Sequence, residues 1–413
     1  MNRLVLIGNG FDLAHGLPTR YEDFINWYWG QRVQGFRDTY SSISRDILCE
    51  FRIDNPHTWT DFFNCVSSQY FSKRITGREV IQNILSKKYN FNIYHSFSPF
   101  FGNIIKSIET KGWVDIENEY YNQLTKCTIE GSLNQDALKE LNSQLNYITD
   151  LLVKYLESIS KNEPNKIEAI SDIIYSPIKP DDVSIEGQHL VDEYVKDRLK
   201  NDSYISFKIE QYDLNEQNCR NEIKRAKDYL NTWGSIPVPP QVFMLPDYVY
   251  RLNFNYTNTA DSYIQKQLGG LIHIHGVLKK RDSIIFGYGD ELDEKYKQLQ
   301  ALNENECLKN IKSIRYLESE NYRRVLEFLE TAPYQVFIMG HSCGNSDRTL
   351  LNTIFEHKNC ISIKPYYHKS KKNGIDNYLD IVQNISRNFT DMKLMRDRVV
   401  NKTFCRPLPQ AEP

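Results

Sequence analysis

Leu4-Val5-Leu6-Ile7-Gly8-Asn9-Gly10-Phe11-Asp12 is the stretch on which the reading of this chain turns. Four apolar residues in a row, led by Met1-Asn2-Arg3, fit a strand buried on both faces of a parallel sheet, where each side of the strand meets helices. Gly8-Asn9-Gly10 then makes a tight turn into a helix, a context in which backbone N–H groups can hold a diphosphate. The stretch therefore predicts an α/β protein that handles a nucleotide. The third glycine of the dinucleotide fingerprint is absent, because position 13 is Leu. No strand with an acidic end follows about 20 residues later, which argues against a dehydrogenase. A strand-to-helix turn without a ligand explains the same glycines.

Moving outward, the chain does not return to a second strand. Thr19-Arg20-Tyr21-Glu22 reads as a capping box with a helix through Phe24 to Trp29. From there to about residue 235 the pattern is mainly helical. Its clearest case is Leu138, Leu141, Leu145, Ile148, Leu152, Tyr155 and Ile159, one stripe of an amphipathic helix. Residues 166–175 and 221–233 also read as helices, and Pro177 and Pro180 mark 176–182 as a connection. Trp233-Gly234-Ser235-Ile236-Pro237-Val238-Pro239-Pro240 is the strongest break, since three close prolines forbid regular helix and central strand alike. Beyond it, short apolar runs at 248–254, 271–274, 283–286, 335–339 and 360–363 read as further strands. The expected architecture is one sheet, built from residues 1–20 and 240–413, with 21–239 as a helical insertion or lid.

Composition bounds the partners. With 413 residues, 40% of them hydrophobic, the chain can bury a large core. Its net charge of −2 offers no basic surplus for a nucleic-acid backbone, which leaves only a local patch for such a partner. The chain has 27 Tyr and 20 Phe, and much of this aromatic content lies among polar residues between 21 and 130, as helix-to-helix packing would require. Eight scattered cysteines without a C-x-x-C pair read as reduced thiols. Residues 4–7 are too short for a signal-peptide core, and no run approaches the ~20 apolar residues of a membrane span. A cytoplasmic protein with no membrane contact is expected.

Three further motifs carry chemistry. Asn253-Phe254-Asn255-Tyr256-Thr257-Asn258-Thr259 places amides and hydroxyls at a strand end, where they can bind ribose hydroxyls or a carboxamide, or cap the next helix through Thr257 or Asn258. In His273-Ile274-His275-Gly276 both histidines share a strand face. With Asp290 they would make a zinc set, although the spacing is too common to argue for one. Equally, His275 at a strand end can serve as a general base, or either histidine can be a hydrogen-bonded core residue. Gly340-His341-Ser342-Cys343-Gly344 contains G-x-S-x-G between a strand and a helix over 347–357. A serine hydrolase would use Ser342 with a later acid and histidine. His357 and His368 both precede the acids Asp376 and Asp380, and only about 70 residues remain for that fold's later strands. A second phosphate- or ribose-binding turn fits better.

Taken together, the motifs resemble the bacteriophage abortive-infection proteins of the AbiH type, themselves distantly similar to sirtuins. The resemblance is carried by Ile7 to Leu13, Gly16 to Phe24, Trp113-Val114-Asp115-Ile116-Glu117, Phe254 to Thr259, His273 to Gly276, and Gly340 through Asp347. It implies a Rossmann-like, sirtuin-like parallel sheet and an antiviral effector that binds NAD and hydrolyses its nicotinamide–ribose bond. It also implies roles. Gly8, Asn9 and Gly10 would hold the diphosphate and Asp12 would touch the ribose. Asn255 would position ribose or water, and His275 would act as base. Gly340 and Ser342 would line the adenosine side, with Thr257 and His341 among the binding residues. Glu117 would enter the pocket from the insertion, unless it is a solvated acid on a helix face. Two positions depart from sirtuins: Thr257 stands where they have Asp, and Asn9 where their turn has Ala. The four-cysteine zinc module of the deacylating sirtuins is absent, so deacylation and a metal are not expected. A phage-derived trigger and a homo-oligomer would fit the same role. A nucleotide sensor without turnover is the alternative of a different class.

Overall fold

Every residue of Asn2–Ile7 is buried in a strand, as an apolar run with neighbours on both edges and both faces requires. The structure is a computed structural model that describes residues 1–37, 41–55, 57–88, 91–111, 115–129, 133–161, 164–265 and 268–411. Among these residues the strands are β1 (Asn2–Ile7), β2 (Ile43–Arg45), β3 (Cys49–Ile53), β4 (Ile93–Phe97), β5 (Val249–Asn253), β6 (Gly269–His273), β7 (Tyr334–Met339) and β8 (Cys360–Tyr366). β1 pairs in parallel with β5 and with β7, so that Leu4 lies opposite Tyr250 and Val336. β6 and β8 extend the sheet outward, also in parallel. Across the sheet the order is β6-β5-β1-β7-β8. Counted among these five strands alone it is 3-2-1-4-5, and the progression reverses between β1 and β7. The carboxyl ends at such a reversal open a crevice that α/β sheets use for ligands.

Alternation along the strands builds two faces. Leu4, Leu6, Leu252, Val336 and Ile338 pack beneath helices Asn321–Thr331, Arg348–Phe355, Tyr378–Arg387 and Met392–Arg398. Val5, Ile7, Val249, Phe337 and Met339 face the short helix Asn9–Ala14, helix Glu168–Tyr175 and the 3-10 turn Thr259–Tyr263. Layers on both sides are why Leu4 to Ile7 of β1 carry no polar alternate positions.

The residues between 21 and 239 enter two main packing clusters. In one, aromatic side chains such as Phe36, Phe51, Trp59 and Phe100 surround the stripe of helix Gln135–Ile159, with Leu138, Leu141, Leu145, Ile148, Leu152 and Tyr155 all buried. Phe286, Tyr288 and Leu299, from beyond the proline break, join this core. In the other, helices Ile185–Arg198, Asp202–Gln211 and Glu216–Trp233 pack with Met1 and Ile361, at the amino ends of β1 and β8. Gly234 ends the last of these helices with a left-handed φ of 70°. Among the described residues no helix is long and apolar enough to cross a membrane.

Three local readings are corrected. The region read as helical also holds an antiparallel sheet of β2, β3 and β4. β3 alternates buried and more exposed residues, but strands of three to five residues repeat too few times to stand out amid aromatic helices. The run at 283–286 is no strand: Ile284, Ile285 and Phe286 are buried in a loop, and an apolar run records burial without specifying a pairing partner. The helix Tyr21–Arg37 is capped one residue later than Thr19-x-x-Glu22 implies. Asp23 accepts from the Arg20 backbone N–H at 3.1 Å, while the Thr19 hydroxyl donates to the Asn9 side chain and Glu22 pairs with Arg78.

Candidate functional site

Two glycine turns, following β1 and β7, press against each other where the strand order reverses. The Gly8 N–H donates to the Met339 carbonyl at 3.2 Å and the Gly10 N–H to the Gly340 carbonyl at 2.8 Å. A Cβ on Gly10 would lie 2.8 Å from the Gly340 Cα, and one on Gly340, whose φ is +75°, would lie 2.0 Å from the Phe11 nitrogen. Close backbone approach therefore explains these glycines. It also spends the Gly8 and Gly10 amides on neighbouring carbonyls, so the diphosphate donors expected there are committed to holding the two turns together.

Beside these turns lies a cavity of about 650 Å³, within the range of small-molecule sites. Gly8, Asn9, Gly10, Asp12, Asn255, Thr257, His275, Gly340, His341 and Ser342 all line it. Parallel strands bring them together, because residues at the carboxyl ends of neighbouring strands share one edge of the sheet. The inserted region adds Tyr21, Asp115 and Glu117. Of the Trp113–Glu117 motif, Trp113 and Val114 lie outside the described residues. Asp115 caps helix Ile116–Thr128 by accepting from the Asn118 N–H at 3.0 Å.

At the end of β5 the amides divide their work. Asn253 is structural, donating to the Thr257 carbonyl and meeting Nδ1 of His273. Asn255 donates its side-chain N–H to the Gly8 carbonyl at 3.0 Å, tying β5 to the first turn. The Thr257 hydroxyl donates to Oδ2 of Asp12 at 2.6 Å. Oδ1 of Asp12 is buried with no partner. Burial pushes this carboxyl up to about 6, against the opposing pull of Thr257.

His273, the last residue of β6, and His275, just beyond it, part company. His273 meets Asp261 at 3.1 Å, whereas His275 places Nε2 3.2 Å from Oδ1 of Asp347 and 3.2 Å from the Tyr316 hydroxyl. Asp290 pairs instead with Arg348 at 3.2 Å. Among the described residues no group of three or more His, Cys, Asp or Glu is placed to hold a metal ion.

Asp347 is the hub of the cavity wall. Its Oδ1 accepts from Lys312 Nζ at 2.9 Å and lies 3.2 Å from His275 Nε2, and Nε2 of His341 lies 3.5 Å from its Oδ2. Lys312 also donates to Oε2 of Glu117 at 2.8 Å, and the Gly287 N–H donates to that residue's Oε1. Burial alone would raise Asp347, but Lys312 and His275 outweigh it and hold the carboxyl well below the usual range. Burial would likewise lower Lys312, yet Asp347 and Glu117 keep it charged. Burial, with Lys312 nearby, pushes His275 below its ordinary value, so the imidazole is neutral. His341 accepts the Cys343 N–H at Nδ1, which leaves its proton on Nε2, facing Asp347.

Sequence reasoning placed Glu117 and His275 in this group but missed Lys312, Asp347 and Tyr316 as partners. Lys312 sits in an unremarkable Ile311-Lys312-Ser313 context, and no spacing announces it. Ser342 lines the cavity, yet among the described residues no histidine is hydrogen-bonded to it. The residues with left-handed φ in its turn are Gly340 and Cys343 rather than Ser342. His357 meets Glu330, His368 meets Gln410, and Asp376 pairs with Lys402. A serine triad is not assembled.

A mainly parallel sheet with a polar cavity at its order reversal, walled in part by helices from the chain between β1 and β5, defines a mixed α/β protein. The chain matches the family model described as bacteriophage abortive infection AbiH over residues 4–368. It belongs to that family, which points to a role in phage abortive infection. No curated protein and no solved structure matches the chain.

Proposed function

We propose that this protein is an abortive-infection effector that binds NAD in the cavity at the carboxyl ends of the sheet and hydrolyses the nicotinamide–ribose bond. The observation that carries the reading is a neutral, buried histidine, His275, anchored at one nitrogen by Asp347 and lining a 650 Å³ cavity together with Asn255. The strand order and the glycine turn after β1 support a Rossmann-like, sirtuin-like relationship. Asp12, with its unpartnered oxygen, would accept from a ribose hydroxyl, and Thr257 would hold that carboxyl in place. Asn9 would meet the diphosphate, and Gly340, His341 and Ser342 the adenosine side.

In the reaction, water attacks C1′ of the nicotinamide ribose. The new O–C1′ bond forms as the C1′–N1 bond breaks, and the electron pair stays on N1, so that nicotinamide leaves neutral. The proton lost by water passes to His275. Positive charge developing on the sugar is favoured by the carboxylates of the wall. Positioned acid–base help of this kind contributes about 10²–10⁴-fold.

The test is to incubate the full chain with NAD, alone and with extract from phage-infected cells, and to follow nicotinamide and ADP-ribose by chromatography. Release of both is expected, reduced about 10²–10⁴-fold in His275→Ala with the circular dichroism spectrum unchanged. NAD binding in the calorimeter without nicotinamide release would leave a sensor instead. No binding and no release under either condition would overturn the proposal.

A further inference from the structure

Lys312 reaches two carboxylates from different parts of the chain, and one of them also holds His275. Asp347 Oδ1 accepts from Lys312 at 2.9 Å and lies 3.2 Å from His275 Nε2. An ionised carboxylate only accepts, so the imidazole proton is on Nε2. The neutral ring then keeps its lone pair on Nδ1, which has no hydrogen-bond partner among the described residues. Across Lys312 sits Glu117, at 2.8 Å, on the first turn of the inserted helix Ile116–Thr128.

We propose that Lys312 and Glu117 are positioning residues for His275, acting through Asp347. Lys312 supplies the positive charge that Asp347 needs, so the imidazole need not take up a proton to supply it. Glu117 shares the same ammonium group and tempers that effect once it is ionised, burial having raised its carboxyl to about 7. The inserted helix thereby sets the charge on a histidine that its own residues do not touch. The groups facing His275 are Asp347 and Tyr316 at Nε2, with the Phe254 and Tyr256 rings 5.3 and 6.4 Å away centroid to centroid. Lys312 and His341 stand across Asp347, and Glu117 lies behind Lys312. The consequence for catalysis rests on the proposed NAD hydrolysis, whereas the charge relationship does not.

The experiment is a histidine titration by NMR of the full chain with isotope-labelled histidine. Nine histidines are present, and His275→Gln identifies the signal of interest. Lys312→Met is expected to raise the His275 midpoint by on the order of one pH unit; burial raises the Glu117 carboxyl to about 7, so it is largely protonated where His275 titrates and Glu117→Gln should leave that midpoint almost in place. A rise confined to Lys312→Met is the diagnostic result, because loosened packing would move both variants upward, towards the solution value. Lys312→Arg, which keeps the charge, should restore most of the original midpoint. An unchanged midpoint in Lys312→Met, or a rise in Glu117→Gln, would overturn the proposal. Should Lys312→Met not fold, the double variant with Glu117→Gln removes both charges. The nearer cation dominates there, so a rise is expected and its absence counts against the proposal. If NAD is cleaved, the acid limb of its pH profile should move with these midpoints; if it is not, the titration decides alone.

Discussion

Two aspartates beside the same sheet, Asp247 partly exposed and Asp12 buried, end in opposite states. Asp247, at the amino ends of the strands, is met by the Met1 amino group at 2.7 Å, by Lys208 at 3.1 Å and by the hydroxyls of Tyr194 and Tyr204. Burial would raise it, but these partners outweigh burial and hold it well below the usual range. Asp12, at the carboxyl ends, has one hydroxyl partner and an orphaned oxygen, and burial prevails. Level with the middle of the sheet, Lys364 and Asp182 repeat the saturated pattern, with both carboxylate oxygens within 2.9 Å of the ammonium group. Charges at the amino side are thus consumed by their neighbours. At the carboxyl side Asp347 is paired in the same way, whereas Asp12 borders the cavity with an oxygen to spare, which is what a ligand site requires.

If that division is correct, breaking a saturated pair should harm the fold and leave the cavity alone. Asp182→Ala leaves Lys364 buried without its carboxylate and should cost roughly 3–5 kcal/mol, read from urea unfolding. Ligand affinity of the folded fraction should not change, and a change would break the comparison. Gly340→Ala sits on the boundary between fold and site. Its φ of +75° and a Cβ only 2.0 Å from the Phe11 nitrogen should cost about 2–4 kcal/mol, with a parallel loss of nucleotide affinity as the two turns separate. Retained affinity at reduced stability would show that the glycine contact serves packing alone.

The smallest effect carries the sharpest sign. The Asp12 pKa in the folded state, about 6, lies above its solution value, so ionising it opposes folding. The penalty is complete above about pH 6 and vanishes as pH falls below the solution value near ~4. Asp12→Asn should therefore be more stable than wild type at pH 8, by about 1–3 kcal/mol, with the advantage fading towards pH 4. Thermal unfolding across that range reads it, and a pH-independent difference would mean that Asp12 has a partner after all.

Much of the frame could be read from local chemistry. Continuous apolar residues made Leu4 to Ile7 a strand buried on both faces, three- and four-residue spacing made Leu138 to Tyr155 one face of a helix, and proline density marked the break before residue 240. The strand-end motifs converged because a parallel sheet gathers its carboxyl ends along one edge, so selecting Gly8, Asn255, His275 and Gly340 from separate segments found one cavity. Tertiary structure alone decided what surrounds His275. Lys312 and Glu117 are 195 positions apart and Lys312 and Asp347 are 35 apart. An ion pair between distant segments imposes no period on either one, and whether a charged residue is solvated or buried against its counterpart depends on where the inserted helices dock.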